Sequence, residues 1–589
     1  MNPETTQAFD GGEFRRPAPR FAPDVLAAAP ARPAAPRESL RETLESIIIA
    51  LILAFVFRAF IVEAFIIPTG SMAPTLYGAH GTILCDNCGW ETAYGLQDLG
   101  EKRGEGRVGD ASKVICPNCS FPNSSLEVND QRGNAESGDR ILVLKWPYDI
   151  GVDLLGPARW DVTVFKNPAD GWQNYIKRLV GLPNEVLSII DGDVYTVPIT
   201  ELSPRVLTEL RRRVDDKHVL LTKQGGGRLS GLSMETMNEL ELKLTIARKT
   251  PVAQKSLWFT VYDHDYPPRE LGTDQPRWSP HDASSGWTPS RRTLHFEDQG
   301  LPEDYIELRG EPIAATYAYN VPVGGSQSAP AVSDLAVRFV MTPAGPGAVS
   351  VRLEKHDRVF RMTIHTDGWA RLAESEELPA GKTPVTTESP PLSLQTQIEP
   401  LAMGRPVEIG VENVDYRLCV YVAGREVLAT STDSDARTYY GPDIKTARRP
   451  RRDAVAPPRV YAAGGAFELS HVLVQRDVYY YRPEAQSGWP NWAPTGGWGS
   501  AISPILLREG EFFMLGDNSA ASQDSRLWLD ISSNQHLVAR GDAYQLGTVP
   551  RDQLVGKAFF VYWPMGHRID WLPIQWGFVP DVGRMRWIR

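Results

Sequence analysis

Alternation of apolar residues with period two is the strongest constraint on how this chain folds. In Leu335, Val337, Phe339 and Met341 every second residue is apolar, and Phe360, Met362 and Ile364 repeat the pattern around Arg361 and Thr363. Successive side chains of a strand point to opposite faces, so such runs have one face to bury and one to expose. Further strands are predicted at Val407–Val411, Leu418–Val422 and Phe467–Val474, with turns such as PAGPG and AGRE between runs. This spacing predicts an antiparallel β-sandwich over about 290–482. At 589 residues the chain exceeds what one core supports, so several bodies are expected, and 50 Gly with 47 Pro favour a mainly β protein. The net charge of −10, with no Lys/Arg stripe, argues against a nucleic-acid partner.

Residues 1–43, rich in Ala, Pro and Arg, are expected to form a disordered leader. The apolar stretch that follows runs uninterrupted only from Ile47 to Phe57, and reaches membrane-spanning length if Arg58 and Glu63 are tolerated. Arg58 lies towards one end, where its stem can carry the charge to the headgroups. Six Arg fall in the 46 residues before the stretch, whereas none of the 35 residues after Phe65 is Lys or Arg. The asymmetry predicts one transmembrane helix at 44–64, a cytoplasmic leader and a large body on the extracytoplasmic face of the cytoplasmic (inner) membrane, with the lipid bilayer as a partner. A leader of this length does not fit a cleaved secretory signal.

Four of the five Cys form two tight pairs, Cys85/Cys88 in CDNC and Cys116/Cys119 in CPNC, with 27 residues between them. Two such knuckles converge readily on one tetrahedral zinc, which predicts a zinc-ribbon-like insertion over 85–135 holding a structural metal. Two disulfides or a redox pair are the alternative, and an oxidising location favours them. Cys419 reads as a buried small hydrophobe. Asp263-His264-Asp265 reads as a solvated turn, and Trp489, Trp492 and Trp498 as packing groups, with sugar stacking as the alternative.

Directly after the apolar stretch comes Pro68-Thr69-Gly70-Ser71-Met72-Ala73-Pro74. The prolines fix the backbone and Gly70 permits a tight turn, so Ser71 is expected at a bend. A serine hydroxyl needs a base to become a nucleophile. Lys177 is the candidate: on a strand it shares a face with Tyr175 and Leu179, while Ile176, Arg178 and Val180 take the other. Apolar surroundings disfavour its ammonium form and prepare a neutral amine for general-base work.

Six ordered segments carry a resemblance: IIPTGSMAPTL (66–76), GDRILVLKW (138–146), RWDVTVFKNP (159–168), YIKRLVGLP (175–183), LGDNSAASQDSRLW (515–528) and VPRDQLVGKAFFVYWP (549–564). In order and character they are similar to the motifs of bacterial type I signal peptidases. The resemblance implies Ser71 as nucleophile and Lys177 as base. It implies that Ser522 orients the lysine amine, that the Ser71 N–H and the Thr69 hydroxyl form the oxyanion hole, that Asp524 and Arg526 pair to shape the site, and that Asp517 and Asn518 form the turn before it. Thr69 replaces the family's usual serine, and Ser519-Ala520-Ala521 replaces an Arg-Asp-Asn run, so a thinner polar network is expected. No cofactor is implied for catalysis.

The implied fold is a signal-peptidase-type β catalytic domain built from 65–84, 136–197 and 505–580. It is interrupted by the cysteine insertion and by a second insertion, 198–504, holding a sandwich of jelly-roll-like strand pattern whose ligand, a carbohydrate or a protein, is open. The implied partners are exported preproteins with signal peptides, each lying extended against exposed strands, with Phe65–Pro68 and Gly138–Leu144 as the candidates. The alternatives are a membrane-tethered carbohydrate- or protein-binding module with a non-functional peptidase domain, and a related self-cleaving Ser/Lys protease.

Overall fold

The computed structural model describes residues 40–95, 113–124, 138–149, 156–222, 231–269, 277–310, 312–317, 319, 329–356, 358–375, 392–433, 440–442, 444, 455–482, 496–564, 566–567, 579–580 and 582–588. The chain divides into two compact units, Met1–Phe57 and Arg58–Arg589. In the first, the described element is helix α1, Leu40–Val56, whose Ile47, Ile48, Leu51, Ile52 and Phe55 are exposed. The leader expected before it lies outside the described residues, apart from the start of this helix.

The helix expected over 44–64 is corrected. After α1 the chain makes a π-helical turn, Phe57–Ile61, and enters strand β1, Val62–Ile66. The reason lies in strand pairing: Val62–Ile66 pairs antiparallel, residue for residue, with Arg140–Leu144, a ladder that a continued helix would forfeit. At 1.5 Å per residue the 17 residues of α1 extend about 26 Å, short of a hydrocarbon core of about 30 Å. Among the described residues no helix is long and apolar enough to cross a membrane.

The second unit is mainly β. Its first strands are β1, a cysteine-bearing hairpin of β2 (His80–Leu84) and β3 (Glu91–Gly95), and a small hairpin of β4 (Lys113–Ile115) and β5 (Pro122–Ser124). There follow β6 (Arg140–Leu144), β7 (Val162–Lys166), β8 (Asn174–Gly181), β9 (Glu185–Ile190) and β10 (Asp193–Pro198); after the long insertion come β11 (Ile505–Leu507), β12 (Glu511–Leu515), β13 (Val549–Pro550) and β14 (Leu554–Trp563). One sheet runs β1-β6-β14-β7-β8-β12-β13, so strands far apart in sequence interleave. Its core includes Ile67, Met72, Leu76, Ile141, Val143, Val162 and Val164. A second, four-stranded sheet joins Thr245–Ile246 to β10, β9 and β11, so the strand that follows the insertion pairs with β9, next to the strand from which the insertion leaves.

Within the insertion, eight- and seven-stranded sheets form a sandwich. Alternation reads out directly in Leu335–Pro343, whose Val337, Phe339 and Met341 are buried while Arg338, Val340 and Thr342 are half-buried. The sandwich begins earlier than 290: Phe259–Asp263, Trp278–Pro280 and Trp287–Pro289 already belong to its sheets. These strands are short and end in Trp, Pro or Asp, too brief for periodicity to reveal. One hydrophobic cluster runs from Val186, Ile190 and Tyr195 through helix residues Val206, Leu210 and Leu240 into the sandwich at Val337, Phe339 and Val411. Beside it four buried aspartates, Asp193, Asp334, Asp415 and Asp477, gather around Lys249 and Lys355.

Cys419 is buried, and Trp498 packs inside, donating its indole N–H to the Trp528 carbonyl at 3.0 Å. Trp489 and Trp492 lie outside the described residues. The Asp263–Asp265 turn is less solvated than expected, because His264 is buried against the Tyr262 hydroxyl at 2.9 Å.

Candidate active site

Ser71 sits in a single 3-10 turn, Gly70–Met72, immediately after β1. Thr69 is the residue before the turn, in extended conformation, with its side chain exposed and making no capping bond. Met72, Ala73 and Leu76 are wholly buried and anchor the turn to the sheet below. From the far end of the sequence, Asn518 holds it from above: its backbone N–H donates to the Ser71 carbonyl at 3.0 Å and its side-chain amide to the Gly70 carbonyl at 3.1 Å.

Lys177 lies on β8 opposite Thr163 of β7. Its amine donates to Ser71 Oγ at 2.5 Å, and both residues are buried. Burial lowers the amine from 10.5 to about 8, against the pull of the Asp524 and Asp517 carboxylates, which favour the charged form. The Tyr175 ring, 5.4 Å from Nζ, supplies part of the apolar wall.

Two ion pairs brace this centre. Asp524 and Arg526 join through Nε–Oδ1 at 2.9 Å and Nη2–Oδ2 at 2.7 Å, and Asp524 also accepts the Gly516 N–H at 3.0 Å. The second pair escaped sequence reasoning: Arg178 grips Asp517 at 2.8 and 2.7 Å, both side chains with no exposed surface, and Thr75 donates to the same carboxylate at 2.6 Å. A charged residue amid Ile176, Leu179 and Val180 was the available signal, since a buried arginine requires a partner.

Three expectations need correction. Among the described residues Ser522 Oγ is buried with no hydrogen-bond partner, the Lys177 amine included. It packs instead over Gly516, where a Cβ would stand 2.2 Å from that oxygen. Nor is the network at Ser519 thin: Arg526 donates to its hydroxyl at 2.8 Å and to its carbonyl at 3.0 Å, and the Tyr481 N–H, from the insertion, donates to the same hydroxyl at 3.0 Å. Finally, the segments proposed to flank a substrate pair with each other, Phe65 opposite Ile141 and Ile66 opposite Arg140, because both carry alternating apolar faces that share one core. This leaves the outer edge of β1 as the sheet's first edge.

The four paired cysteines converge. Their sulfurs lie within 4.8 Å of one another, with Cys85–Cys119 and Cys88–Cys116 both at 3.6 Å, and none forms a disulfide. Each knuckle closes alike, Gly89 N–H on the Cys85 carbonyl at 2.7 Å and Ser120 N–H on the Cys116 carbonyl at 2.9 Å. Four thiolates on a tetrahedral zinc at about 2.3 Å stand roughly 3.8 Å apart, so this donor set fits that ion.

A model of the family described as signal peptidase, peptidase S26, matches residues 118–219 and 477–563. The matched segments contain Lys177 and the run from Asp517 to Arg526, and do not contain Ser71 or the sandwich. The chain is 45% identical over 58 residues to a signal peptidase I of Pseudomonas fluorescens, covering 8% of this chain and 20% of the relative. It is 32% identical over 104 residues to a probable signal peptidase I of Mycobacterium leprae, covering 18% and 32%. The chain therefore spans about a fifth to a third of the length of these relatives. Among solved structures, a carbohydrate binding module, CBM66 from Bacillus subtilis, gives a TM-score of 0.21 at 10% identity over 35% of this chain and 99% of its own. A sheep galectin-11 complex with glycerol gives 0.16 at 11% over 25% and 92%. The family match and the two relatives thus show that these segments of the chain are similar to signal peptidases.

Proposed function

We propose that this chain is a serine endopeptidase that removes N-terminal signal peptides from exported preproteins with a Ser71/Lys177 dyad. The observation that carries the reading is the 2.5 Å contact between Ser71 Oγ and a buried Lys177 amine lowered to about 8. In its neutral form Lys177 takes the Ser71 proton as Oγ attacks the scissile carbonyl, then returns it to the leaving amine. The resulting acyl-enzyme is released by water activated by the same amine. The Ser71 N–H and the Thr69 hydroxyl are assigned to the developing oxyanion. The Asp524–Arg526 and Arg178–Asp517 pairs keep the two catalytic segments in register.

The substrate is placed along the outer edge of β1, extended, with alternate side chains entering apolar pockets. The apolar surface of α1 supports attachment at the cytoplasmic membrane. Cys85, Cys88, Cys116 and Cys119 are assigned to one structural zinc, which would stiffen the two knuckles and take no part in the chemistry. Purified chain incubated in detergent with a precursor bearing small residues before the cleavage point tests the reading. Ser71→Ala and Lys177→Ala are each expected to abolish cleavage while circular dichroism stays unchanged. Undiminished cleavage by both variants excludes the dyad.

A further inference from the structure

Gly70 suggests a tight turn in sequence, yet the space around it is occupied by another residue. A Cβ built on Gly70 would stand 2.0 Å from Cε1 of Tyr319 and 2.8 Å from its Cδ1. Gly70 does not adopt the left-handed conformation reserved for glycine, so its backbone would accept alanine. The glycine is required by the tyrosine ring lying flush on the residue before the nucleophile.

Tyr319 belongs to the long insertion, outside the segments matched by the peptidase family. It is buried and firmly placed. Its carbonyl accepts the Gly95 N–H at 2.7 Å, at the base of the cysteine-bearing hairpin, where Gly95 pairs with His80. Its ring stacks on Tyr317 with centroids 6.1 Å apart and planes at 6°, and lies 5.6 Å from Tyr77. Tyr317 packs edge-on against Phe259 at 5.1 Å and meets the Tyr77 hydroxyl at 3.3 Å. Arg476 donates to the neighbouring Thr316 carbonyl at 2.6 Å. An aromatic buttress from the insertion thus backs Gly70 on one side, while Asn518 holds the Gly70 and Ser71 carbonyls on another.

We propose that Tyr319 is a positioning residue for Ser71, so that the insertion completes the catalytic centre. The role rests on the peptidase reading above and adds that the six ordered segments alone do not hold the nucleophile in place. Without the ring, the Gly70–Met72 turn has room to shift away from Lys177.

A steric cycle tests it. Tyr319→Ala is expected to lower kcat about a hundredfold, the cost of a displacement of roughly 1 Å at a reacting group, with KM within about twofold. Tyr319→Phe keeps the ring and is expected to retain kcat. Gly70→Ala, which forces the ring and the turn apart, is expected to lose activity and thermal stability. The double variant Gly70→Ala/Tyr319→Ala, in which the new methyl enters the space vacated, is expected to recover about tenfold or more in kcat over Gly70→Ala alone, with a higher Tm. If wild type cleaves the precursor and Tyr319→Ala keeps full kcat, or the double variant is no better than Gly70→Ala in either readout, the positioning role is wrong and the dyad stands. If wild type itself is inert, the peptidase reading falls and takes this role with it.

Discussion

At the scale of single residues, Lys177 sets chemistry against stability. Its burial lowers the amine from 10.5 to about 8. Between those values the unfolded chain binds more protons at this position than the folded chain, so stability rises with pH across that window and is lost as pH falls through about 8. At pH 7 the residue is therefore a burden, and Lys177→Met is expected to raise unfolding free energy by roughly 1–3 kcal/mol while cleavage is lost. Urea unfolding beside the activity assay checks both halves, and a variant no more stable than wild type contradicts the burial cost. The same lowering sets the acid limb: kcat/KM is expected to fall tenfold per pH unit below about 8 as the amine protonates. A rate unchanged from pH 8 to 6 would point to another base. Arg178, its neighbour, shows the limit of strand logic, since alternation told which face it occupies and gave no hint of Asp517, 339 positions away.

At the scale of elements, the cysteine knuckles were legible from spacing, and their placement was not. CxxC brings two sulfurs together by local turn geometry, whereas meeting a second knuckle requires the hairpins to approach. In the fold the knuckles dock on the insertion through their asparagines: Asn118 accepts the Asp263 N–H at 2.6 Å and donates to the Tyr266 carbonyl at 2.8 Å, and Asn87 accepts the Arg269 N–H at 3.0 Å. Plasma-source metal analysis is expected to find about one zinc per chain, lost in Cys88→Ser together with a drop in Tm. No zinc in the wild type, with all four thiols oxidised, would restore the disulfide alternative.

At the scale of the whole second unit, the seam between the sandwich and the sheet of β9 and β10 is charged at its centre. Lys249 contacts Asp415 and, at 2.7 Å, Asp477, while Lys355 contacts Asp334 and lies 3.4 Å from Asp193, all six side chains being buried. Asp193 starts β10 of the body, and Lys355 and Asp334 come from the sandwich, so Lys355 ties one to the other. Removing one leaves buried carboxylates uncompensated, and Lys355→Ala is expected to cost about 3–5 kcal/mol. Chemical denaturation measures it, and a loss under 1 kcal/mol, the level of a surface pair, would show the seam to be solvated.

Strand periodicity, knuckle spacing and the turn around Ser71 were readable along the chain because each depends on neighbours within a few residues. The sandwich, the pairing potential of the cysteines and the Ser71/Lys177 candidates followed from that local order and from the resemblance of six segments. Tertiary structure alone decided the Arg178–Asp517 pair, the bond from Arg526 to Ser519, the unpartnered Ser522, the mutual pairing of β1 with β6 and the approach of Tyr319 to Gly70. The Arg178–Asp517 pair, the β1–β6 pairing and the approach of Tyr319 to Gly70 join parts of the chain tens to hundreds of residues apart, and the seven-residue Arg526–Ser519 contact forms in a loop whose path those long-range contacts set; the outcome depends on how sheets stack and which buried charges find partners, which no local pattern encodes.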